Sequence, residues 1–255
     1  MSPTGRRCAS TGLWLNTGFT TGYRVARTTY GGLNPPTRVA GSDRQGWGRY
    51  DTPGSTVYLA GEVETAFREV IAPFTLGLQG NSALQKDADF LGMPLPAFIR
   101  DFKSYWEESS YMNTGCLPTQ WRTSRDLYQV QVPASEAWVD IEHPSSLAAI
   151  RSAIGAGLAA DTGIDSVSLA EVHAPDREVT TRIAEWLRTL VLDDGRQPAG
   201  VTYSSKLGGR CYAYWLRRRD EGLGEDHLRV VSTKPIDRTD PSLKTACKGL
   251  DLHCF

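Results

Sequence analysis

The 255-residue chain contains no CxxC, HExxH, P-loop, GxSxG or EF-hand loop, and no GxGxxG ahead of a helix. Those absences remove the usual signatures of structural zinc, zinc hydrolysis, triphosphate binding, α/β-hydrolase chemistry, calcium binding and Rossmann-type cofactor binding. Gly155-Ala156-Gly157 comes nearest to the last, but it lies within an expected helix and lacks the third glycine. The five cysteines (Cys8, Cys116, Cys211, Cys247, Cys254) are scattered and odd in number. The four histidines, at 143, 173, 227 and 253, lack ligand spacing. Neither a disulfide framework nor a bound metal is expected. A surplus of one charge is also missing: 28 Lys and Arg face 29 Asp and Glu, with no basic block, so no footprint for direct nucleic-acid binding exists. Arg217-Arg218-Arg219 runs into Asp220-Glu221 and is read as a solvated strand end. The N-terminal residues include no apolar run like a signal peptide, and the most apolar stretch, 147–160, is interrupted by Arg151 and too short to cross a bilayer. A soluble, cytoplasmic protein without a membrane partner is expected.

What the chain does contain is organised around Gly46 to Val70, GWGRYDTPGSTVYLAGEVETAFREV. A glycine-punctuated loop carries Arg49, a strand follows over Thr56–Ala60, and a helix from about Glu62 carries Glu69. Alternation in the strand puts Val57 and Leu59 on one face and Thr56, Tyr58 and Ala60 on the other. In the helix, Val63, Phe67, Val70 and Ile71 form the apolar stripe and Glu64–Arg68 an outer i,i+4 pair, with Glu69 at the stripe's margin. A cation, an aromatic hydroxyl and a carboxylate can thus converge at one sheet edge.

Residues 1–20, rich in Ser, Thr and Gly, are expected to form a flexible tail, and residues 21–255 a single domain. Strands are expected at Tyr23–Ala26, Leu127–Val132, Trp138–Ile141, Ser166–Val172, Leu228–Ser232 and Leu252–Phe255. Gly200–Ser205 and CYAYWL are expected to pair through the Gly208-Gly209 turn. Helices are expected at Ser146–Ala160, after Pro175-Asp176, and at Ser242–Lys248. Between about 75 and 123, Leu95, Phe98, Ile99, Phe102, Tyr105 and Trp106 repeat at helical spacing and predict a helical insertion. Strands and helices mix without regular βα alternation, so the fold class is α+β with a largely antiparallel or split sheet. Composition and periodicity stop there.

Four segments in order carry a resemblance: Tyr23-Arg24; Gly48-Arg49-Tyr50-Asp51; Val57-Tyr58-Leu59-Ala60 with Ala66-Phe67-Arg68-Glu69; and Gly200-Val201-Thr202-Tyr203-Ser204-Ser205. Together they resemble the RES domain, whose name records an Arg, a Glu and a Ser. The resemblance covers about Tyr23 to Leu216 but not the 75–123 segment. It implies an ADP-ribosyltransferase-like fold: a split, largely antiparallel sheet with flanking helices. It also implies a toxin of a toxin–antitoxin pair that consumes NAD+ as substrate, cleaving the nicotinamide–ribose bond as a glycohydrolase or, with inorganic phosphate, a phosphorylase. The implied partners are NAD+, phosphate and an antitoxin protein; a homo-oligomer stays open, and no cofactor or metal is called for.

By position, the resemblance assigns Arg49, Tyr58, Glu69 and Ser205 to catalysis, with Arg24 lining the pocket. Ser204 lies in the same motif and remains the alternative to Ser205. Glu69 suits stabilisation of an oxocarbenium-like ribose. Arg49 and Arg24 suit a pyrophosphate, Tyr58 stacking on nicotinamide, and Ser205 the orientation of an arginine or the ribose. Trp47 could shield the pocket. The ordinary competitors are an Arg49 ion pair with Asp51 or Asp43, a solvated Glu69, a packed Tyr58 and a turn-proximal Ser205. Two other functions fit the same residues: a transferase placing ADP-ribose on a macromolecule, and an inactive binding module docking through Leu95–Trp106.

Overall fold

A computed structural model gives the fold for residues 4–75, 85, 86, 88–98, 100 and 115–254. Ten strands form one curled, mostly antiparallel sheet, and mixed helices pack around it, an α+β architecture. Along the sheet run β1 (Thr4–Arg7), β2 (Trp14–Thr17), β8 (Trp138–Asp140), β9 (Gly200–Ser204), β10 (Arg210–Trp215), β5 (Gly54–Ala60), β3 (Thr21–Arg27), β7 (Arg125–Gln131) and β11 (Arg229–Pro235). The short β4 (Thr37–Arg38) pairs with β5 beside this path. Among the described residues, only β8 and β9 run parallel within the large sheet. A second, two-stranded parallel pair joins β6 (Cys116–Leu117) to β12 (His253–Cys254).

Both faces of the central strands are buried, which the alternating side chains make visible. On β5 and β10, Ala60, Cys211, Ala213 and Trp215 face the larger core, whereas Val57, Leu59, Tyr212 and Tyr214 face the smaller one. The larger core is covered by α1 (Val63–Ile71), α3 (Pro144–Thr162), α5 (Arg177–Thr189) and α7 (Pro241–Gly249). In α1, Phe67 and Ile71 are fully buried while Glu64 meets Arg68 at 3.4 Å on the outer side. Each such burial contributes about 2 kcal/mol and fixes which side of α1 turns toward the sheet. Helix α7 packs against α1 from behind.

One junction in the sheet matters for function. Strands β3 and β5 share a single residue pair, Tyr23 with Ala60, whereas β3 pairs with β7 along its whole length. The sheet therefore splits between β3 and β5, and side chains from both strands line the gap.

Several expectations are corrected. The segment read as a flexible tail over 1–20 supplies β1 and β2, because Leu13 and Leu15 are buried in the core and β2 pairs with β8. Ser166–Val172 is not a strand. Ser168 caps α4 (Leu169–His173) by accepting from the Ala170 N–H (3.1 Å), while Glu171 accepts from the Ser168 N–H (2.8 Å). That reciprocal capping box outweighs the local β propensity. Arg217–Arg219 begins the short helix α6 (Arg217–Asp220) and is not a solvated strand end: Arg217 donates to the Arg188 carbonyl (2.7 Å) and Arg219 to the Leu33 carbonyl (3.0 Å). Of the expected insertion at 75–123, residues 76–84, 87, 99 and 101–114 lie outside the described residues. So does most of its apolar stripe, of which Phe98 is buried. The end of that segment forms β6 and then α2 (Thr119–Thr123).

Candidate active site

The loop before β5 is tied together by Asp51, which is buried. Its Oδ2 accepts from the Gly48 N–H and from Arg38 Nε, both at 2.7 Å, and its Oδ1 accepts from the Tyr58 hydroxyl at 2.9 Å. The same hydroxyl accepts from the Tyr50 N–H at 2.9 Å. Burial, reinforced by Asp51, holds the Tyr58 hydroxyl well above the ordinary phenol range, so it stays protonated and keeps donating. Gly48 is a requirement of space: a Cβ there would stand 2.4 Å from the Tyr58 oxygen and 2.7 Å from its ring. The Gly–Arg–Tyr–Asp motif thus folds back onto the tyrosine of the following strand.

With Asp51 committed to Arg38, Arg49 has no carboxylate partner there, and Asp43 is turned to the Gln45 N–H. The Arg49 guanidinium lies over the Tyr203 ring, 5.5 Å from its centroid, and its buried Nε makes no hydrogen bond. Cation–π contact holds the group in place without neutralising it.

Glu69 is presented by α1 and met by the β9–β10 hairpin. Gly209, at φ +89°, lies so close to α1 that a Cβ would fall 2.0 Å from Thr65 Oγ1, and Thr65 donates to the Gly208 carbonyl at 3.3 Å. One helical turn beyond Thr65 stands Glu69, whose Oε1 accepts the hydroxyl hydrogen of Ser205. Ser205 Oγ also accepts from the Leu207 N–H at 2.9 Å, which fixes its direction. Ser204 points the opposite way, as strand alternation requires. Its N–H (2.6 Å) and hydroxyl (2.8 Å) bind Glu142, which also meets Arg210 (2.9 Å) and His173 (2.9 Å). The geometry therefore separates two serines that the sequence left as alternatives. Ser205 orients Glu69, not an arginine.

These groups open onto one cleft of about 320 Å³, at the split between β3 and β5. Arg24, Arg49, Tyr58 and Glu69 all line it, together with Arg177 and Tyr203. Arg24 enters from β3. Burial lowers its pKa to about 10, which leaves it charged at neutral pH, and its Nη1 is buried without a partner. Cys211 lines the same wall, and burial pushes its thiol up to about 12, so it is an inert neutral group. Arg177, the first residue of α5, also carries a buried unpartnered Nη1. It escaped the sequence reading. The one available signal was its position, since a cation at a helix N-terminus opposes the helix dipole and calls for a reason. Trp47 is absent from the lining; it is buried under Arg44, at 5.2 Å.

Among the described residues no group of three or more His, Cys, Asp or Glu side chains is placed to hold a metal ion, and no helix is long and apolar enough to cross a membrane. Comparison with protein-family models, curated proteins and solved structures gave no match.

Proposed function

We propose that the chain is an NAD+-consuming enzyme of the RES type, with an ADP-ribosyltransferase-like fold, that breaks the nicotinamide–ribose bond. One observation carries the reading: a carboxylate held by a serine, Glu69 with Ser205, faces the same cleft as Arg24, Arg49 and Tyr58. The split of the sheet at the cleft supports the fold assignment.

The chemistry follows from the substrate's charge. Nicotinamide leaves with the electrons of the bond and becomes neutral, so no acid is needed; positive charge develops on the ribose instead. Glu69 stabilises that charge and holds a ribose hydroxyl, with Ser205 fixing the carboxylate's direction. Arg24 and Arg49 bind the diphosphate and Tyr58 supplies a flat wall for the nicotinamide ring. Water adding at the anomeric carbon releases a proton and yields ADP-ribose; inorganic phosphate in its place yields the 1-phosphate ester. In a cell this activity drains NAD+, and the reading places the protein in the cytoplasm with an antitoxin protein to hold it in check.

The test is release of free nicotinamide from NAD+ by the purified protein, with and without phosphate, beside Glu69→Ala. The variant is expected to lose about a hundredfold or more in kcat while keeping its fold, because its side chain is partly exposed on a helix that tolerates alanine. Full turnover by that variant would sink the mechanism. Absence of nicotinamide release by the wild type, with ADP-ribose transferred to a macromolecule in lysate, would replace it with a transferase.

A further inference from the structure

Three guanidiniums enter the cleft from three separate elements: Arg24 from β3, Arg49 from the loop before β5, and Arg177 from the start of α5. In each, one nitrogen is buried without a hydrogen-bond partner: Arg24 Nη1, Arg49 Nε and Arg177 Nη1. Among the described residues none of the three forms an ion pair. Other poorly exposed arginines are treated differently. Arg38 meets Asp51 at 2.7 Å, Arg44 meets Glu185 at 2.9 Å and Arg188 meets Asp220 at 2.9 Å. Leaving a buried guanidinium nitrogen without a partner is costly, and the fold does so on three partly exposed arginines around one cavity. Among the described residues, the sole carboxylate in the lining, Glu69, is already engaged by Ser205.

We propose that Arg177 is the third cation of a diphosphate-binding cleft and that, with Arg24 and Arg49, it selects ligands bearing a diphosphate over those bearing none. Three guanidiniums against one carboxylate leave two net positive charges, which match the two negative charges of a diphosphate diester. The planar fork of each arginine fits phosphate oxygens in pairs. The three arginines differ in their surroundings. Arg49 and Arg177 both act on the buried Tyr50 hydroxyl, whose pKa burial raises and both cations pull back, whereas Arg24 sits beside Tyr58, Asp51 and Tyr128. The inference rests on the cleft assigned above but not on the reaction assigned to it.

Titration calorimetry with ADP-ribose, inorganic pyrophosphate and adenosine tests it, using wild type, Arg177→Ala and Arg177→Lys, each checked for folding by circular dichroism. Arg177→Ala is expected to weaken ADP-ribose and pyrophosphate by about tenfold to a hundredfold, to flatten the salt dependence of both, and to leave adenosine unchanged. Arg177→Lys, which keeps the charge and loses the fork, is expected to fall between; it decides the matter if the alanine variant does not fold. Wild-type affinity for ADP-ribose in both variants overturns the proposal, as does failure of the wild type to bind either diphosphate. Arg177-dependent pyrophosphate binding without NAD+ consumption removes the enzymatic reading and keeps this one. NAD+ consumption with binding indifferent to Arg177 does the reverse.

Discussion

Ser205 donates its hydroxyl hydrogen to Glu69 across 136 positions of sequence, joining a hairpin turn to a helix at the mouth of the cleft. Ser205→Ala removes the group that aims the carboxylate. A loss of about 1.5–3 kcal/mol, the usual value of a hydrogen bond to a charged group, corresponds to about ten- to a hundredfold in turnover. Ser204→Ala, one residue away, removes the hydroxyl contact to Glu142 but keeps the N–H contact, and is expected to lower thermal stability slightly while leaving kcat within about threefold. Equal losses from the two alanines in a steady-state NAD+ assay would refute the assignment of Ser205 to Glu69.

Gly48→Ala places a methyl carbon into the Tyr58 ring. Both the loop and the ring are tied to Asp51, so neither can retreat without breaking a buried hydrogen bond. Overpacking of this kind costs about 1–3 kcal/mol. Thermal unfolding is expected to show a lower midpoint for this variant, and an unchanged midpoint would mean that the loop is looser than described.

Tyr58 has two separable contributions. Tyr58→Phe keeps the ring and orphans both Asp51 Oδ1 and the Tyr50 N–H, so stability is expected to fall by about 1–3 kcal/mol with little change in KM for NAD+. Tyr58→Leu removes the flat wall and is expected to raise KM as well. Calorimetric unfolding and initial-rate kinetics on the pair distinguish the roles; a KM defect in the Phe variant equal to that of Leu would contradict them.

Arg24 carries the pH prediction. Its pKa is lower in the folded chain, about 10, than the ordinary 12.5, so folding weakens proton binding and the charged form opposes folding. The penalty is fully present below about pH 10 and fades as pH rises from there toward 12.5, so stability should show no titration of this group across the neutral range. Its size is on the order of 3 kcal/mol, an upper figure because part of the side chain still meets solvent. Arg24→Met is therefore expected to raise the melting temperature of the ligand-free protein at pH 7 while weakening NAD+ binding. A lower melting temperature would show that the guanidinium stabilises the empty fold.

Local rules made much of this molecule legible. The strand–helix unit Gly54–Ile71 declared itself by alternation followed by helical spacing, and the hairpin at Gly208-Gly209 by two glycines that both adopt positive φ. The motif residues Arg24, Arg49, Tyr58 and Glu69 line one cleft, and Ser205 reaches it through Glu69. What escaped depends on partners distant in sequence. Trp14–Thr17 is too short to signal a strand and is ordered by β8, more than a hundred residues away. Arg38 takes Asp51 away from Arg49, a competition no local pattern reveals. Arg177 belongs to no motif, and only the fold carries it to the same cavity as Arg24.

The helix bearing Glu69 is backed by Pro241–Gly249, and its serine comes from the hairpin beyond Gly200. During synthesis, a chain of about 200 residues contains all three cleft arginines yet lacks both the serine and the backing helix. Ribosome-bound chains of that length are expected to leave NAD+ intact, which a stalled-translation assay can measure. Catalytic competence would then arrive only once the hairpin and the backing helix have both emerged.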